Sequence, residues 1–379
     1  MDVFAAERAV SPSDGSLRYV VIDRTYRVHT EASAYLAALR ALDRSPNTER
    51  VYAGRIALFL SYCGRFGFDW QKIQFSDLAR FLRWLVAEPL PPRRPSSPTR
   101  FRSAGTANAV MTSVCEFLRF AATHGWVSSE LIPRLSHRKD LRYLPGHDSG
   151  EMGQFASIRA KSLKLTAPVP EIEFLTARQV DELIAAAGRT RDRFLITLMA
   201  LTGIRVGEAL GLRRGDLHLL PRGALVGCST DGPHIHVRRR CNANGALAKS
   251  RYPRSIPVVN DLVGLYAQYQ HERFAVAGAM EADLVFVNLY HKPIGDGMRY
   301  GNVRSLFARL SAAAGFTARP HMLRHTAATR WIENGVPRDV VQHLLGHVSS
   351  VSMDPYLHPP ETAKRAAVER VAARLEGYD

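Results

Sequence analysis

The sequence predicts a mainly α-helical protein with a small antiparallel β-sheet. Two long stretches, 30–135 and about 171–379, carry apolar residues at the three- and four-residue spacing of helices. Within the second stretch, residues 235–237 and 256–258 instead alternate as in strands, and the turn signal at 242–245 lies between them. The chain is 379 residues long, a length that fits two to three domains.

The first stretch predicts four helices. The first opens at Thr30, and the second follows a break at which Ser45 is the expected N-cap. A third is expected from Ser76 and ends at the proline-rich run 89–98, which must be an exposed loop. The fourth spans roughly Thr106–His124. These elements predict a small helical domain.

The chain is expected to divide into four segments. A short N-terminal extension, 1–29, contains a strand-like segment at Tyr19–Ile22, and the helical domain follows at 30–135. Residues 136–170 combine weak periodicity with Pro-Gly, Ser-Gly and basic residues, which predicts a basic interdomain linker. The linker is either a solvated connector or a further contact for a polyanion. The last domain is 171–379.

In the last domain, Thr176 is expected to cap a helix, and a second apolar helix at Phe194–Leu201 ends at Gly203. Helices resume from about residue 303. The C-terminal segment 362–376 has an apolar helical face, which packs either on its own domain or on a neighbouring protomer.

The charge balance indicates a polyanionic partner. The formal net charge is +16 and the pI about 10.1. Residues 1–165 hold 24 basic and 15 acidic side chains and residues 166–379 hold 27 and 20, so no single tail carries the excess. The basic residues are 44 Arg and 7 Lys, and arginine is the side chain that makes bidentate contacts with phosphate.

Cysteine spacing gives no sign of a disulfide framework or a zinc site. The four cysteines, Cys63, Cys115, Cys228 and Cys241, lie far apart and form no CxxC pair. No cofactor and no metal are therefore expected. No run approaches the ~20 apolar residues of a membrane span, so we expect a cytoplasmic protein without membrane partners.

Five residues in three short motifs carry chemistry of interest. Arg205 follows a helix-ending glycine and precedes another helix, and His321 and Arg324 are three residues apart on one helical face. His347 ends a helix, and Tyr356 follows nine residues later. Each feature alone is more common as a structural element, but their order and spacing within a basic domain are distinctive.

Together these motifs closely resemble the tyrosine site-specific recombinases, or phage integrase family. The matching elements are LTGIRVGEALGL at 201–212, HMLRH at 321–325, LLGH at 344–347 and Tyr356. The resemblance covers about 170–379, and the helices of 30–135 look like the core DNA-binding domain of the family. It implies a helical core-binding domain followed by a mixed α+β catalytic domain.

The resemblance also implies a catalytic set. Its members are Arg205, Lys249, His321, Arg324, His347 and the nucleophile Tyr356. Lys249 lies in AKSRYPRSIP at 248–257, which is similar to the lysine-bearing turn of the family. Lys292 is the alternative lysine.

These residue types suit phosphoryl transfer without a metal ion. Two guanidiniums, Arg205 and Arg324, can hold the phosphate oxygens on which charge builds up. A tyrosine hydroxyl has a pKa of ~10 and needs help to attack, which His321 and His347 can give, while Lys249 can protonate the departing 5′ oxygen. In the family the product is a 3′-phosphotyrosyl link, which conserves the bond energy.

The sequence therefore predicts a recombinase that integrates or excises a mobile element. Its expected partners are double-stranded DNA with specific recombination sites, three further protomers in a synaptic homotetramer, and accessory proteins; the free protein is expected to be monomeric. Three alternatives stay open. A type IB topoisomerase-like enzyme would relax any supercoiled plasmid, a decayed DNA-binding regulator would lack cleavage, and a metal-dependent nuclease would be inhibited by chelators.

Overall fold

The structure of the chain is a computed structural model. It describes residues 3–42, 44–92, 98–141, 156–168, 173–240, 242–248 and 252–346. The chain forms two compact units, 1–170 and 171–379. The described residues are mainly helical, with two β-hairpins and one three-stranded antiparallel sheet, which confirms the predicted fold class.

The first unit is a group of helices flanked by two hairpins. Its elements are β1 (Phe4–Val10), β2 (Leu17–Asp23), α1 (Thr30–Ala41), α2 (Pro46–Phe66), α3 (Phe75–Ala87), α4 (Ala104–Thr123), the short α5 (Leu131–Arg134), β3 (Ser136–Leu141) and β4 (Ala156–Lys161). Ser45 is the N-cap of α2, because its hydroxyl accepts the backbone N–H of Thr48 at 3.2 Å. Phe59, Phe81 and Phe117 are fully buried among these helices.

The segment expected as an N-terminal extension is part of this unit. Strand β2 confirms the strand predicted at Tyr19–Ile22, and β1 pairs with it antiparallel, from Phe4 opposite Asp23 onward. The hairpin is fixed to α2: Ser61 exchanges hydrogen bonds with the backbone of Phe4, and Glu49 accepts the N–H of Tyr19 at 2.8 Å. The hairpin is therefore held to α2 through backbone groups of both strands.

The described parts of the predicted linker, 136–170, include a β-hairpin. Strands β3 and β4 pair antiparallel along their length. Asn108 of α4 exchanges two hydrogen bonds of 2.8 Å with the backbone of Leu165. The hairpin was missed because charged residues occupy successive positions of β3, so neither face shows the apolar alternation by which strands are recognised.

The second unit combines seven helices with the three-stranded sheet within its described residues. These elements are α6 (Ala177–Ala186), α7 (Thr190–Thr202), α8 (Val206–Leu210), β5 (Leu217–His218), β6 (His234–Val237), β7 (Arg254–Pro257), α9 (Asn260–Phe274), α10 (Tyr300–Ala314), α11 (Pro320–Glu333) and α12 (Arg338–Leu345). Thr176 caps α6, and α7 ends at Gly203, both as expected. Leu195 and Leu198 of α7 are fully buried in the core of the unit.

The sheet confirms the predicted strands, with β6 at its centre. Ile235 pairs with Ile256 of β7, and Leu217 of β5 lies on its other side. Helix α9 was not predicted, since the expectation placed the next helix at about residue 303. Its buried side includes Tyr269, whose hydroxyl donates to the Val285 carbonyl at 2.8 Å. No helix among the described residues has the length and apolarity needed to span a membrane.

Candidate active site

Arg205 is positioned by the junction between α7 and α8. Gly203 ends α7 with a left-handed φ of 60°, and Arg205 then serves as the N-cap residue of α8. The Arg205 N–H donates to Glu208 Oε2 at 2.9 Å, and its Nη1 donates to Glu208 Oε1 at 3.1 Å. The Arg205 side chain is 24% exposed. Its guanidinium is thus held at the start of a helix while part of it faces solvent.

Glu208 is the buried carboxylate that orients this junction. It also accepts two hydrogen bonds from Arg254 of β7, at 3.3 and 2.8 Å, and neither side chain is more than 2% exposed. Burial alone would raise the pKa of Glu208, but the hydrogen bonds and charge of Arg254, together with Arg205, hold that pKa below its ordinary value. Glu208 is therefore ionised at neutral pH and ties α8 to the sheet.

Arg324 joins all three predicted motifs. It lies in the first turns of α11 and is 2% exposed. Its Nη1 donates to the Gly203 carbonyl and its Nη2 donates to the Leu345 carbonyl, both at 2.7 Å. Gly203 is two residues before Arg205, and Leu345 is two residues before His347. The guanidinium of Arg324 is consequently fixed between the end of α7 and the end of α12.

His321 and His325 lie beside Arg324 on α11. Their rings meet edge to face with centroids 4.4 Å apart; His321 is exposed and His325 half-buried. Burial, the neighbouring His321 and the positive Arg324 lower the pKa of His325 to about 4. His325 is therefore neutral at physiological pH, and His321 is the more exposed histidine of the pair.

The other three predicted site residues, Lys249, His347 and Tyr356, lie outside the described residues. Helix α12 ends at Gly346, which adopts a left-handed φ of 63°. Just before this end, the Leu344 carbonyl accepts Nε of Arg254 at 2.8 Å.

The described residues on both sides of Lys249 contact α8. On the N-terminal side, the Leu247 carbonyl oxygen lies 2.7 Å from the position that a Cβ on Gly207 would occupy, so this approach requires glycine. On the C-terminal side, Arg254 binds Glu208. The alternative lysine, Lys292, lies in the loop between α9 and α10, outside these contacts.

Arg254 and Glu208 matter more than the sequence suggested. Neither residue belongs to the predicted catalytic set, although both lie inside the matching motifs. Their ion pair joins α8, β7 and the end of α12, which are distant in sequence. A buried charged residue needs an opposite charge, but the sequence pattern does not say which one it meets.

The second unit matches the family model described as "Phage integrase family" over residues 173–362. Transposase A from transposon Tn554 of Staphylococcus aureus is 28% identical over 351 residues, which cover 90% of each chain. Tyrosine recombinase XerD of Lacticaseibacillus casei is 25% identical over 300 residues, covering 74% of this chain and 85% of that protein.

A solved structure has a similar fold. The integrase of transposon Tn1549, in complex with a circular-intermediate DNA, superposes with a TM-score of 0.61 at 17% identity and covers 90% of this chain and 99% of that chain. The family match spans the segments that Arg324 joins. The chain belongs to the phage integrase family.

Proposed function

We propose that this protein is a site-specific DNA recombinase that cleaves and rejoins strands through a 3′-phosphotyrosyl intermediate and so integrates or excises a mobile element. Membership of the phage integrase family and the similarity to a transposase over 90% of both chains support this function. The observation that carries it is the double hydrogen bond of Arg324 to the Gly203 and Leu345 carbonyls. That contact gathers the motifs expected to build one active site.

In the proposed reaction, Arg205 and Arg324 bind the non-bridging oxygens of the scissile phosphate. Negative charge on these oxygens grows in the transition state, so donors that are already oriented stabilise it without reorganising. The restraints described above supply that orientation: Glu208 holds Arg205, and two carbonyls hold Arg324. The chemistry proposed for these guanidiniums needs no metal ion.

Tyr356 is the proposed nucleophile. Its hydroxyl oxygen forms a bond to phosphorus while the bond from phosphorus to the 5′ oxygen breaks. The phenolic proton passes to a base, a role proposed for His321, and Lys249 donates a proton to the departing 5′ oxygen. His347 is proposed to hydrogen-bond the phosphate or Tyr356. Attack by a partner strand's 5′-hydroxyl on the phosphotyrosine reverses these steps and joins the new strand.

The proposed partner is double-stranded DNA carrying specific recombination sites. The excess of positive charge in both parts of the chain and the DNA complexes of the Tn1549 integrase support this partner. We propose that residues 30–135 bind the core site and that 171–379 catalyse strand exchange. The proposed assembly is a homotetramer in the synapse and a monomer when free, with accessory proteins, acting in the bacterial cytoplasm at the nucleoid.

The proposal is tested with a suicide substrate, a duplex made from the flanking DNA of the element with a nick close to the cleavage site. Wild-type protein should form a covalent complex that survives denaturation. Tyr356→Phe should form none but bind DNA as well as wild type, while the matched control Tyr378→Phe should cleave normally. Undiminished trapping by Tyr356→Phe would refute the assignment. Relaxation of plasmids that lack the site would instead indicate a topoisomerase.

A further inference from the structure

Three histidines and one cysteine of the second unit lie close together on strands β5 and β6 and the loop between them. His218 lies on β5, directly opposite His234 of β6 in the antiparallel register. His236 follows two residues later on the same face of β6, and Cys228 comes from the loop that joins β5 to β6. The pairing of β5 with β6 and the loop between these strands thus bring all four side chains together.

Four of the six distances between their potential ligand atoms are close to those found around tetrahedral zinc. Nε2 of His236 lies 3.1 Å from Nε2 of His234, 3.3 Å from Nδ1 of His218 and 3.5 Å from Sγ of Cys228. Sγ of Cys228 is 3.4 Å from Nε2 of His234, and all four atoms lie within 4.8 Å of one another. With Zn–N bonds of ~2.0–2.1 Å and a Zn–S bond of ~2.3 Å, ligand atoms around tetrahedral zinc are roughly 3.3–3.6 Å apart.

Hydrogen bonding among the four side chains does not account for this arrangement. Nδ1 of His234 is 2.7 Å from the Gly232 carbonyl, which can only accept, so Nδ1 carries a proton and Nε2 is the ring nitrogen available as a ligand. Nε2 of His236 has three close neighbours, but one N–H cannot point at all of them. A cation at the centre can accept a lone pair from every ligand.

The surroundings are those of metal ligands. A metal-bound histidine commonly donates its second ring N–H to a backbone carbonyl, as His234 does to Gly232. The Thr230 N–H points at Sγ of Cys228 over 3.4 Å, a contact that stabilises a thiolate. The cysteine is free, and His234 is buried while the other three side chains are partly exposed.

We propose that His218, Cys228, His234 and His236 bind one Zn²⁺ ion. Three imidazoles and a thiolate would fill all four positions of a tetrahedral ion, which is the pattern of a structural site that leaves no place for substrate. The ion fastens the loop between β5 and β6 to the sheet. Through the pairing of β6 with β7, it also stabilises the strand that carries Arg254.

This proposal departs from the expectation from sequence that the chain has no zinc site. That expectation rested on the absence of CxxC pairs, and here a single cysteine contributes. The ligands instead follow the order His218, Cys228, His234, His236, in which only the last pair has a local spacing. Strand register, which sequence spacing does not reveal, brings the first histidine to the others.

The full-length protein, purified without a nickel column, tests the proposal by metal analysis. We expect about one equivalent of zinc per chain after dialysis against a weak chelator. Metal-free protein titrated with Co²⁺ alone should develop the visible bands of tetrahedral cobalt and a sulfur-to-cobalt charge-transfer band, which a site without Cys228 cannot give. This measurement on wild-type protein needs no folded variant.

Variants assign the ligands. Cys228→Ser should lose the charge-transfer band, and His236→Gln should weaken zinc binding by about 10- to 100-fold or more. The matched control His271→Gln, at an exposed position on α9, should bind as wild type does. The proposal is overturned if wild-type protein takes up neither zinc nor cobalt, or if Cys228→Ser binds cobalt with an unchanged spectrum.

Discussion

Arg324 has two roles: it carries positive charge, and it holds the ends of two helices in place. Two of the five donors of a guanidinium go to carbonyls at the ends of α7 and α12. The planar fork makes both contacts at 2.7 Å from one buried position, which the single ammonium of a lysine cannot reproduce. A residue of this kind sets the geometry of the site as well as its charge.

Arg324→Lys should therefore reduce strand cleavage although it keeps the positive charge. We expect a loss of about 10²-fold or more in the single-turnover rate of covalent complex formation, because oriented donors to the transition state are removed. Arg309→Lys, at an exposed position of α10, is the control and should cleave at the wild-type rate. Cleavage by Arg324→Lys as fast as wild type would contradict the proposed clamp.

Glu208→Gln should lower stability and change its dependence on pH. The substitution leaves the buried Arg254 without its counter-charge, which should cost about 3 kcal/mol of unfolding free energy at pH 7. The folded-state pKa of Glu208 is lowered, so its contribution is complete above the ordinary pKa of 4.5 and disappears as the pH falls through the folded-state value.

Urea unfolding between pH 3 and pH 7 measures both effects. Wild type should lose stability more steeply than Glu208→Gln as the pH falls below 4.5. The control Glu182→Gln removes an exposed pair with Arg178 and should cost under about 1 kcal/mol. If the unfolding free energies of wild type and Glu208→Gln changed with pH in parallel, the ionised Glu208 would not contribute the expected pH-dependent stability.

At the scale of secondary-structure elements, Gly203 sets how closely α7 approaches α11 and α12. Its left-handed φ of 60° disfavours other residues, and a methyl group there would lie 2.9 Å from Leu345 and 3.2 Å from Ala327. Its carbonyl is also one of the two that Arg324 binds. The end of α7, the backbone conformation and the active-site contact therefore depend on one another.

Gly203→Ala should destabilise the protein more than the matched Gly315→Ala does. Both glycines cap helices with positive φ, but a Cβ on Gly315 meets nothing within 4 Å, so that variant measures the backbone cost alone, about 1 kcal/mol. The clash at Gly203 should add about 1–3 kcal/mol. Thermal unfolding and cleavage assays of both variants test this prediction. Equal melting temperatures would mean that α11 and α12 move to accommodate the added methyl group at little cost.

Local sequence signals predicted some elements well and missed others for identifiable reasons. Ser45 and Thr176 predict the starts of helices because an N-cap is a local hydrogen bond, and Gly203 predicts the end of one. Strand β3 was missed because its polar residues show no alternation, whereas α9 was not predicted although Leu262, Leu265, Tyr266 and Tyr269 lie at helical spacing. The pairing of β3 with β4 leaves no apolar alternation in the sequence of β3.

At the scale of the whole molecule, the candidate site is assembled from segments far apart in sequence. The motif spacing predicted that Arg205, His321 and Arg324 belong to one site, because their chemistry suits one phosphate. It did not predict the contacts that hold them, since Arg254 and Glu208 meet only through the fold. The cluster of His218, Cys228 and their neighbours was missed for the same reason.

The net charge of +16 is distributed over both parts of the chain, and this should govern DNA binding. Each phosphate that the protein neutralises lowers the logarithm of the binding constant by about 0.9 per logarithmic unit of salt. If basic residues of both parts bind the duplex together, about 6–10 phosphates are neutralised and affinity should fall by roughly 10³–10⁵ between 50 and 200 mM salt. Fluorescence anisotropy with a labelled duplex of the recombination site measures this slope.

Tyr356→Phe should show the same salt slope as wild type, because it removes the nucleophile and no positive charge. A duplex of unrelated sequence should bind more weakly with a similar slope, since phosphate contacts position the protein while base contacts specify the site. A slope that corresponds to only one or two phosphates would mean that one part of the chain binds alone. The basic excess of the other part would then have to be assigned to a different partner.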